Sequence, residues 1–397
     1  MAADIENPPL DRSRPTVVAA LGTSQTLAWA SSYYLPAILA DPIAKATGLS
    51  REWVFAAFSV SLLIAAFAGP LVGRAIDRRG GRGILMISNL VLAAGLAVLA
   101  AANGPVGLFA AWAVLGVGMS LGLYDAGFAT LTSLYGRAAR GPITGITLFA
   151  GFASTVSWPL SSALNDAVGW RETCLVWAAL HLILGLPLNR LLPRPMPRAD
   201  APDESREPVG WKPRKQMFLL AFVFAAAWFV TGAMAAHLPE LLEQAGATSV
   251  QAVAAAALVG PAQVAARLGE LLVLRRVHPL ASARLAALLH PIGVGIFALT
   301  GPAGAAALVI LYGAGNGLLT IARGTVPLAL FGPQGYGERT GLLGAPARMA
   351  QAFAPLLFGL LLDAVGTRAL FVSAGLCLAA LCALLCLRPT APMRASP

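Results

Sequence analysis

Long apolar runs and short polar segments alternate along the chain. A helix needs roughly 20 apolar residues to cross the hydrocarbon core of a bilayer, whereas a barrel strand needs only about 10. Because every backbone N–H and C=O group in lipid must be paired within the spanning structure, runs of this length predict transmembrane helices. We predict twelve spans, numbered here in chain order: 16–40, 53–76, 83–102, 105–134, 143–164, 171–192, 216–239, 250–274, 280–300, 305–331, 342–362 and 368–388.

A long polar segment divides these spans into two sets of six. Residues 193–215 are rich in Pro, Glu, Asp, Ser and Arg, which cannot form a core, and we predict a cytoplasmic linker there. The sequence LNDAVGWR at 164–171 matches LLDAVGTR at 361–368, an offset of 197 residues that recurs among the glycines of spans 4 and 10. The pattern predicts an all-α membrane protein of two repeated six-helix bundles, residues 1–192 and 216–397, related by an axis along the membrane normal.

Composition agrees with a membrane protein, and the charge distribution predicts its orientation. Hydrophobic residues make up 57% of the 397 residues and charged residues 12%, whereas soluble domains carry about 25% charge. If Met1 is cytoplasmic, twenty-two Lys and Arg residues, Arg348 among them, fall on inner loops and helix ends, against four on the outer side. This bias predicts a multi-pass protein of the inner (plasma) membrane with both termini in the cytoplasm. The net charge of +10 then reflects topology and does not indicate a nucleic-acid partner.

The sequence contains no motif for catalysis or for a bound cofactor. It lacks the HExxH and GxSxG patterns of metalloproteases and hydrolases, and its Cys and His residues do not have metal-ligand spacing. We therefore expect a protein that is not an enzyme and that holds neither a cofactor nor a metal. Its expected partners are a small-molecule substrate, protons and membrane lipid, and we expect a monomer.

The segment between spans 2 and 3 reads GRAIDRRGGR at residues 73–82. Glycine lets helices approach closely, an acid at a helix boundary can face the positive N-terminus of another helix, and arginines can bind anionic lipid. The segment is similar to the G-x-x-x-D-R-x-G-R signature of the major facilitator superfamily of secondary transporters, and the resemblance covers nearly the whole chain. The alternative is a basic loop that only sets topology. The resemblance implies an inner gate latch formed by Gly73, Asp77, Arg78, Gly80 and Arg82.

The chain also departs from the patterns of this family. The equivalent loop of the second half has Leu271, Arg275 and Arg276, so the acid is missing and we expect a weaker latch there. Drug/proton antiporters of the superfamily carry an Arg in span 4 at the position of Trp112, and a Gly-Pro pair in span 5, where this chain reads GFASTVSWP at 151–159. These departures disfavour the antiporter branch.

Ionisable residues inside the predicted spans are costly in lipid, and they are therefore candidates for function. Asn316, Thr320 and Arg323 lie at i, i+4 and i+7 and form one polar face of span 10. The guanidinium fork suits a carboxylate, so Arg323 is a candidate ligand of an organic anion; the alternative is a structural pair with Asp125 of span 4. Burial favours the protonated form of Asp125, whereas a nearby Arg favours the charged form, so Asp125 is a candidate proton carrier. The alternative is a fixed counter-charge.

A second cation, Arg267, lies in span 8. Transporters of the monocarboxylate and oxalate/formate branch, which this chain resembles most in pattern, carry a substrate-binding Arg in the middle of this span. The resemblance implies that Arg267 is a second ligand of the anion. Glu270 lies three residues later and could instead neutralise Arg267 as an intrahelical pair.

Polar and aromatic residues elsewhere complete the candidate site. Gln25, Trp29 and Tyr33 lie on one face of span 1, and Trp158 lies on the polar face of span 5. Such residues can line a substrate cavity or hold helices together. The other candidates are Tyr124, next to Asp125, and His237 near the outer end of span 7, whereas we expect His181 and His290 to be structural.

We therefore predict a secondary active transporter that works by alternating access, with its cavity at the midplane between the two bundles. The expected substrate is a small organic anion, monocarboxylate-like, which moves together with protons. The alternative is a proton-driven efflux antiporter for amphiphilic drug-like or toxic compounds. A sensor without transport activity is a third possibility.

Overall fold

The structure is a computed structural model that describes residues 13–193 and 215–388. All regular elements in these two ranges are helical, and a π-helical segment, His181–Gly185, joins α9 to α10. The α-helices in chain order are α1 Ser13–Ser31, α2 Pro36–Thr47, α3 Arg51–Arg79, α4 Gly81–Ala100, α5 Pro105–Gly122, α6 Tyr124–Tyr135, α7 Arg140–Ala150, α8 Ala153–Val168, α9 Trp170–Leu180, α10 Leu186–Arg190, α11 Lys215–Gln244, α12 Ser249–Ala256, α13 Val259–Leu272, α14 Pro279–Thr300, α15 Ala305–Phe331, α16 Tyr336–Val365 and α17 Ala369–Cys386.

The helices account for all twelve predicted spans. Seven spans are single α-helices, whereas spans 1, 4, 5, 6 and 8 each contain two that meet at a break. Within residues 13–193 and 215–388, eight helical stretches are long and apolar enough to cross a membrane, and three of them exceed 50 residues and cover two predicted spans each. Predicted span 1 is not among these eight stretches, because a turn at residues 32–35 divides it into two shorter helices before Pro36.

Each half of the described chain has its own apolar core. Trp112 of α5 is fully buried among residues of α1 to α4 and α9 in the first half. In the second half, Phe224 of α11 and Phe358 of α16 belong to two buried clusters. The two halves therefore pack as separate bundles that meet along an interface.

Two buried histidines take structural partners inside these bundles. The ring nitrogens of His181 lie 2.7 Å from Oγ of Ser31 and 2.8 Å from Oδ1 of Asn89. Nε2 of His290 lies 2.9 Å from Oγ of Ser373. All of these contacts stay within one half, so neither histidine contributes a polar contact to the interface.

The halves meet along α3 and α16, which run antiparallel. We name the side of the bundle that carries residues 73–82 the motif side, and the opposite side the far side. On the motif side, hydrogen bonds and ion pairs join Arg74 and Asp77 to the start of α16 and Arg140 to residues 270–277. The interface is therefore closed on the motif side.

Glycines allow α3 and α16 to cross at very short distance. A Cβ atom added to Gly73 would lie 2.0 Å from the carbonyl oxygen of Gly337, and one added to Gly337 would lie 2.5 Å from the carbonyl oxygen of Gly73. One turn further along, a Cβ atom on Gly341 would lie 2.5 Å from the carbonyl oxygen of Gly69. Only a hydrogen atom fits at these positions, so the two glycine pairs permit the closure.

The prediction that assigns Arg348 to the inner loops and helix ends is wrong. Helix α16 begins at Tyr336, so Arg348 lies twelve residues inside it and is only 7% exposed. The predicted linker, residues 193–215, lies almost wholly outside the described residues. The predicted bundle boundaries next to it therefore stay predictions.

Candidate functional site

Three charged side chains from three helices meet at the centre of the interface. Oδ2 of Asp125 on α6 accepts a hydrogen bond of 2.7 Å from Nη2 of Arg323 on α15. The same oxygen accepts a hydrogen bond from Nη2 of Arg348 on α16. All three residues are buried. Two guanidinium groups of the second half thus bind one carboxylate of the first half, and we name this group the Asp125 cluster.

A break in span 4 positions Asp125. Helix α5 ends at Gly122, and Leu123 is extended, with φ −81° and ψ −171°, so that α6 begins anew at Tyr124. Asp125 therefore lies in the first turn of a helix, where free N–H groups and the helix dipole favour a negative charge. Nε2 of Gln25, which is fully buried, donates a hydrogen bond of 2.5 Å to the carbonyl group of Gly122 and so supports the break.

The Asp125 cluster carries one more positive than negative charge. The guanidinium of Arg323 lies 4.5 Å from the ring centroid of Trp228, and this cation–π contact stabilises part of that charge. Among the described residues, Oδ1 of Asp125 and Nη1 of Arg348 have no hydrogen-bond partner. The cluster therefore keeps both an acceptor and a donor for a further polar group.

Arg267 of α13 is buried and contacts the first half. Its Nη1 donates to the carbonyl oxygen of Thr147 on α7 at 3.2 Å, and its Nη2 donates to Oε1 of Gln263 at 3.3 Å. No described acid forms an ion pair with it, and its Nε has no partner among the described residues. Arg267 is thus a buried cation whose partners are all neutral.

The alternative in which Glu270 neutralises Arg267 is wrong. Glu270 accepts a hydrogen bond of 2.9 Å from Nη2 of Arg140, at the start of α7, and one of 2.8 Å from Oγ of Ser282. Arg140 also donates to two backbone carbonyl groups of the segment 274–277. The acid therefore serves a second contact between the halves on the motif side, although the signature acid is missing from this loop.

The predicted polar face of span 10 reaches the first half only through Arg323. Oδ1 of Asn316 accepts a hydrogen bond of 3.0 Å from Oγ1 of Thr231 on α11. Oγ1 of Thr320 donates to the carbonyl oxygen of Asn316 at 2.9 Å. Both described contacts lie within the second half.

Aromatic side chains of spans 1, 4 and 5 form a connected group in the first half. The ring centroid of Trp29 lies 5.1 Å from that of Tyr33, 6.1 Å from that of Tyr34 and 4.8 Å from that of Tyr124. Tyr34 in turn lies 6.2 Å from Trp158, which is 44% exposed. We name these five residues the aromatic group.

A hydrogen bond ties the aromatic group to the second half. Nε2 of Gln351 on α16 donates to the hydroxyl oxygen of Tyr33 at 2.7 Å. Gln351 lies three residues after Arg348, so the same stretch of α16 contacts both the aromatic group and the Asp125 cluster. The two groups therefore belong to one interface.

His237 lies apart from this centre. Its Nε2 is 2.8 Å from the carbonyl oxygen of Pro355, and its Nδ1 is 3.2 Å from Oε2 of Glu240. The structure thus brings Asp125 together with Arg323, and joins the aromatic candidates to one another. The candidates whose described polar partners lie in their own half are Gln25, Asn316, Thr320 and His237.

Asp77 contacts the N-terminus of α16 on the motif side. Its carboxylate oxygens accept hydrogen bonds of 2.9 Å and 2.8 Å from the backbone N–H groups of Gly337 and Glu338. These groups are among those that a helix start leaves unpaired, and they carry the positive end of the dipole. Arg74 adds an ion pair of 2.5 Å with Glu338.

The other motif residues have different positions. Gly80 follows α3 with φ +78°, a conformation that favours glycine. Arg78 and Arg82 form no hydrogen bond or ion pair with any described residue. The contacts of this loop across the interface are therefore made by Gly73, Asp77 and Arg74.

Arg348 is absent from the residues that the sequence predicts for the site, yet it binds Asp125. It is the only charged residue in predicted span 11, residues 342–362, and that signal is sufficient to find it. Trp228 and Gln351 are also absent from the prediction. Nothing in the sequence distinguishes these two from other polar or aromatic residues of the spans.

The sequence matches the family model of the Major Facilitator Superfamily over residues 21–334. Solved structures with a similar fold include the human organic anion transporter MFSD10, with a TM-score of 0.72 and 20% identity, covering 95% of this chain and 100% of that one. The E. coli fucose:proton symporter FucP has a TM-score of 0.73 and 16% identity, covering 96% and 100%. The proton:xylose symporter XylE has a TM-score of 0.71 and 16% identity, covering 94% of each chain.

Likeness at these identities shows the fold alone. An uncharacterized 38 kDa protein in the 23S RNA operon of Thermoproteus tenax is 30% identical over 159 residues, which are 40% of this chain and 41% of that protein. The match thus spans about four-tenths of the relative's length. The predicted all-α fold of two six-helix bundles is confirmed. Because the family model matches most of the chain, the chain belongs to the Major Facilitator Superfamily and is a membrane transporter, not an enzyme.

Proposed function

We propose that this protein couples the transport of small organic anions, monocarboxylates in particular, to protons. The observation that supports this most strongly is the Asp125 cluster, in which Arg323 and Arg348 bind the same carboxylate oxygen. A substrate carboxylate offers the same kind of acceptor, so it can replace Asp125 on the two guanidinium groups. A fold shared with an organic anion transporter agrees with this class but does not select it over sugars.

Displacement of Asp125 would couple the anion to a proton. A carboxylate that loses both of its cations in a low-dielectric interior is favoured to bind a proton. The proton then joins an oxygen of Asp125 while the substrate occupies Arg323 and Arg348. One negative and one positive charge enter together, so the excess of one positive charge in the cluster is unchanged. Anion and proton therefore favour each other's binding.

Arg267 and the aromatic group would complete the site. Arg267, which forms no ion pair with a described acid, would raise the local concentration of anions near the Asp125 cluster, because long-range attraction requires no direct contact. The rings of Trp29, Tyr33, Tyr124 and Trp158 would contact the apolar part of the substrate. Gln25, Asn316 and His237 would support the site through hydrogen bonds between helices of one bundle, and Thr320 through a hydrogen bond within α15.

The orientation follows from the distribution of Lys and Arg. We place the motif side and both termini in the cytoplasm, and the protein, as a monomer, in the inner membrane. The contacts of Gly73 and Asp77 would then hold the cytoplasmic gate closed, and substrate would enter from the far side. Movement of residues 1–192 against residues 216–397, joined by the linker, would separate α3 from α16 and open the cytoplasmic side.

The aromatic group favours a second candidate function, proton-driven efflux of amphiphilic compounds. Rings that contact one another at 4.8 to 6.2 Å can bind flat apolar molecules. The excess of buried Arg over Asp disfavours cationic compounds among these. An amphiphilic anion would bind both the guanidinium groups of the Asp125 cluster and the rings of the aromatic group.

Transport into proteoliposomes separates these functions. Vesicles loaded with the pH dye pyranine receive lactate, oxalate or benzoate under an inward proton gradient, with protein-free vesicles as the control for passive permeation. The proposal predicts protein-dependent uptake of at least one anion together with internal acidification, and a protonophore should abolish accumulation. Proton-driven loss of a preloaded amphiphilic dye, without uptake of any anion, would support the antiporter instead.

A further inference from the structure

A small cavity lies between Asp125 and the motif-side contact of the two halves. It is lined by α3 around Gly69 and Gly73, by Ser120 of α5, by Asp125 of α6 and by Gly337 of α16. The space open to the centre of a water molecule is about 10 Å³, which is close to the minimum for one water. We name it the gate cavity.

Two buried polar atoms belong to residues in the wall of the gate cavity. Oδ1 of Asp125 and Oγ of Ser120 have no hydrogen-bond partner among the described residues, and the two residues are only 7% and 2% exposed. Oδ2 of Asp125 is occupied by two guanidinium groups, so Oδ1 is the oxygen left for the cavity. A buried polar atom without a partner costs free energy, and a single bridging water would satisfy both atoms.

Gly337 connects the gate cavity to the latch residue Asp77. It lines the cavity, and its backbone N–H donates to Oδ1 of Asp77 at 2.9 Å. It also contacts Gly73, which lines the cavity from α3. The cavity is thus separated from Asp77 by the same glycine pair that closes the interface.

We infer that the gate cavity holds a water that relays the proton of Asp125 toward Asp77 and the motif side, and that Ser120 positions this water. The inference rests on the proposed function. In the transfer, the O–H bond of Asp125 breaks as the water gains that proton, and the water gives a different proton to the Asp77 carboxylate. One proton moves and the water is regenerated. Because Gly73 and Gly337 lie between the cavity and Asp77 in the closed state, the transfer takes place as α3 and α16 begin to separate, while Ser120 still holds the water.

The charged surroundings favour transfer in this direction. Around Asp125, the ionisable groups are Arg323 on α15 and Arg348 and Tyr336 on α16. Once the proton leaves, both guanidinium groups can rebind the carboxylate, which stabilises the deprotonated state.

The surroundings of Asp77 change when the gate opens. Its ionisable neighbours are Glu338 and Arg339, and Arg74 pairs with Glu338. Burial, the largest influence, raises the pKa of the Asp77 carboxyl in the closed state, and the two backbone N–H donors lower it. Loss of these donors while Asp77 is still buried lets it accept the proton, and full opening then exposes Asp77, which releases the proton to the aqueous phase on the motif side.

Two variants of nearly equal shape test the role of Ser120. Ser120→Val removes the hydroxyl group, whereas Ser120→Thr keeps it. Each is measured in pyranine-loaded proteoliposomes with lactate, oxalate and benzoate, in net proton-driven uptake and in exchange of labelled for unlabelled anion at equal pH. We expect Ser120→Val to lower net uptake about tenfold or more while exchange stays near the wild-type rate, and Ser120→Thr to retain both. If Val and Thr behave alike, the relay is wrong.

Two further measurements separate the inference from the proposed function. If the Val variant does not fold, Ser120→Ala gives the same comparison with a smaller side chain. An experimental structure should show an ordered water within about 3 Å of both Asp125 Oδ1 and Ser120 Oγ, and a dry cavity would contradict the inference. If the wild type moves none of the three anions with protons, the proposed function fails and the relay fails with it. If the wild type does and Ser120→Val equals it, only the relay fails.

Discussion

The interface contains two buried cationic regions that differ in how their charge is balanced. At the Asp125 cluster, Arg323 and Arg348 share a carboxylate from the other half. Arg267, by contrast, donates to a backbone carbonyl of the first half and to a neutral amide of its own helix, and no described acid forms an ion pair with it. In the first region a carboxylate balances part of the positive charge, whereas in the second no described acid balances it.

This difference indicates separate roles in one binding process. A ligand gains little free energy from a cation whose counter-ion it must displace, unless that counter-ion is neutralised at the same time. The Asp125 cluster is thus suited to make binding conditional on a proton. Under the proposed function, Arg267 would attract anions whatever the protonation state of Asp125, because no described acid forms an ion pair with it.

The largest effect should follow from removal of the shared carboxylate. Asp125→Asn leaves two buried guanidinium groups without a counter-ion, and we expect it to lower the free energy of unfolding by about 3–5 kcal/mol. Thermal unfolding of the purified protein, followed by tryptophan fluorescence, measures this. The double variant Asp125→Asn/Arg348→Gln is the control, and it should recover part of the loss because one unpaired charge is removed. If Asp125→Asn is as stable as the wild type, the Asp125 carboxylate does not stabilise the two guanidinium groups.

Replacement of a guanidinium by an ammonium should have the next largest effect. Arg323→Lys keeps the charge but loses the planar fork, so we expect anion-induced thermal stabilisation to disappear, equivalent to an affinity loss of about tenfold or more, while the protein stays folded. Arg267→Lys is the matched variant and should retain anion stabilisation. If Arg323→Lys is still stabilised by the anion, Arg323 is not its ligand.

Crowding by a single methyl group tests the same contrast through packing. A Cβ atom on Gly344 would lie 2.8 Å from Nη2 of Arg323 and 3.0 Å from Oδ2 of Asp125, so Gly344→Ala crowds two atoms that an ion pair holds in place. A Cβ atom on Gly151 would lie 2.3 Å from Nη1 of Arg267, the end of a flexible side chain that can move away. We expect unfolding experiments to show a loss of about 1–3 kcal/mol for Gly344→Ala and a smaller one for Gly151→Ala. The reverse order would mean that Arg267 is the more rigidly held cation.

The smallest effect should come from Arg267→Gln. Loss of the long-range attraction should raise the KM for anion uptake several-fold without lowering kcat or stability. The increase should shrink as ionic strength rises, because salt screens attraction over distances beyond about 10 Å. Arg323→Gln is the comparison and should lower kcat at every salt concentration. A loss of kcat in Arg267→Gln that is independent of salt would indicate direct contact with the substrate.

The spans and the motif contact could be predicted from the sequence because both depend on local properties. The length of an apolar run decides whether it crosses the membrane, and an acid such as Asp77 at a helix boundary needs only a nearby helix N-terminus. As predicted, the Asp77 carboxylate accepts hydrogen bonds from backbone N–H groups at the start of another helix, α16. The substrate and proton roles of the interior residues stay predictions.

The composition of the central cluster could not be predicted in full because it depends on relations between helices. Asp125 lies at a helix N-terminus only because span 4 breaks at Leu123, and Gln25 from another helix supports that break. Glu270 is at the right spacing to pair with Arg267, yet Arg140 from the other half binds it. Sequence spacing within one helix does not reveal such competition between partners.

Because Asp77 contacts main-chain N–H groups, the acid of the first half is the only side chain that these two hydrogen bonds require. Every residue except proline supplies an N–H group at position 338, and at 337 glycine is required for space and not for recognition. Mutations in the second bundle can therefore accumulate around this point without removing the donors. The second half has no acid at the position equivalent to Asp77, and its helix α16 is nevertheless held by the acid of the first half.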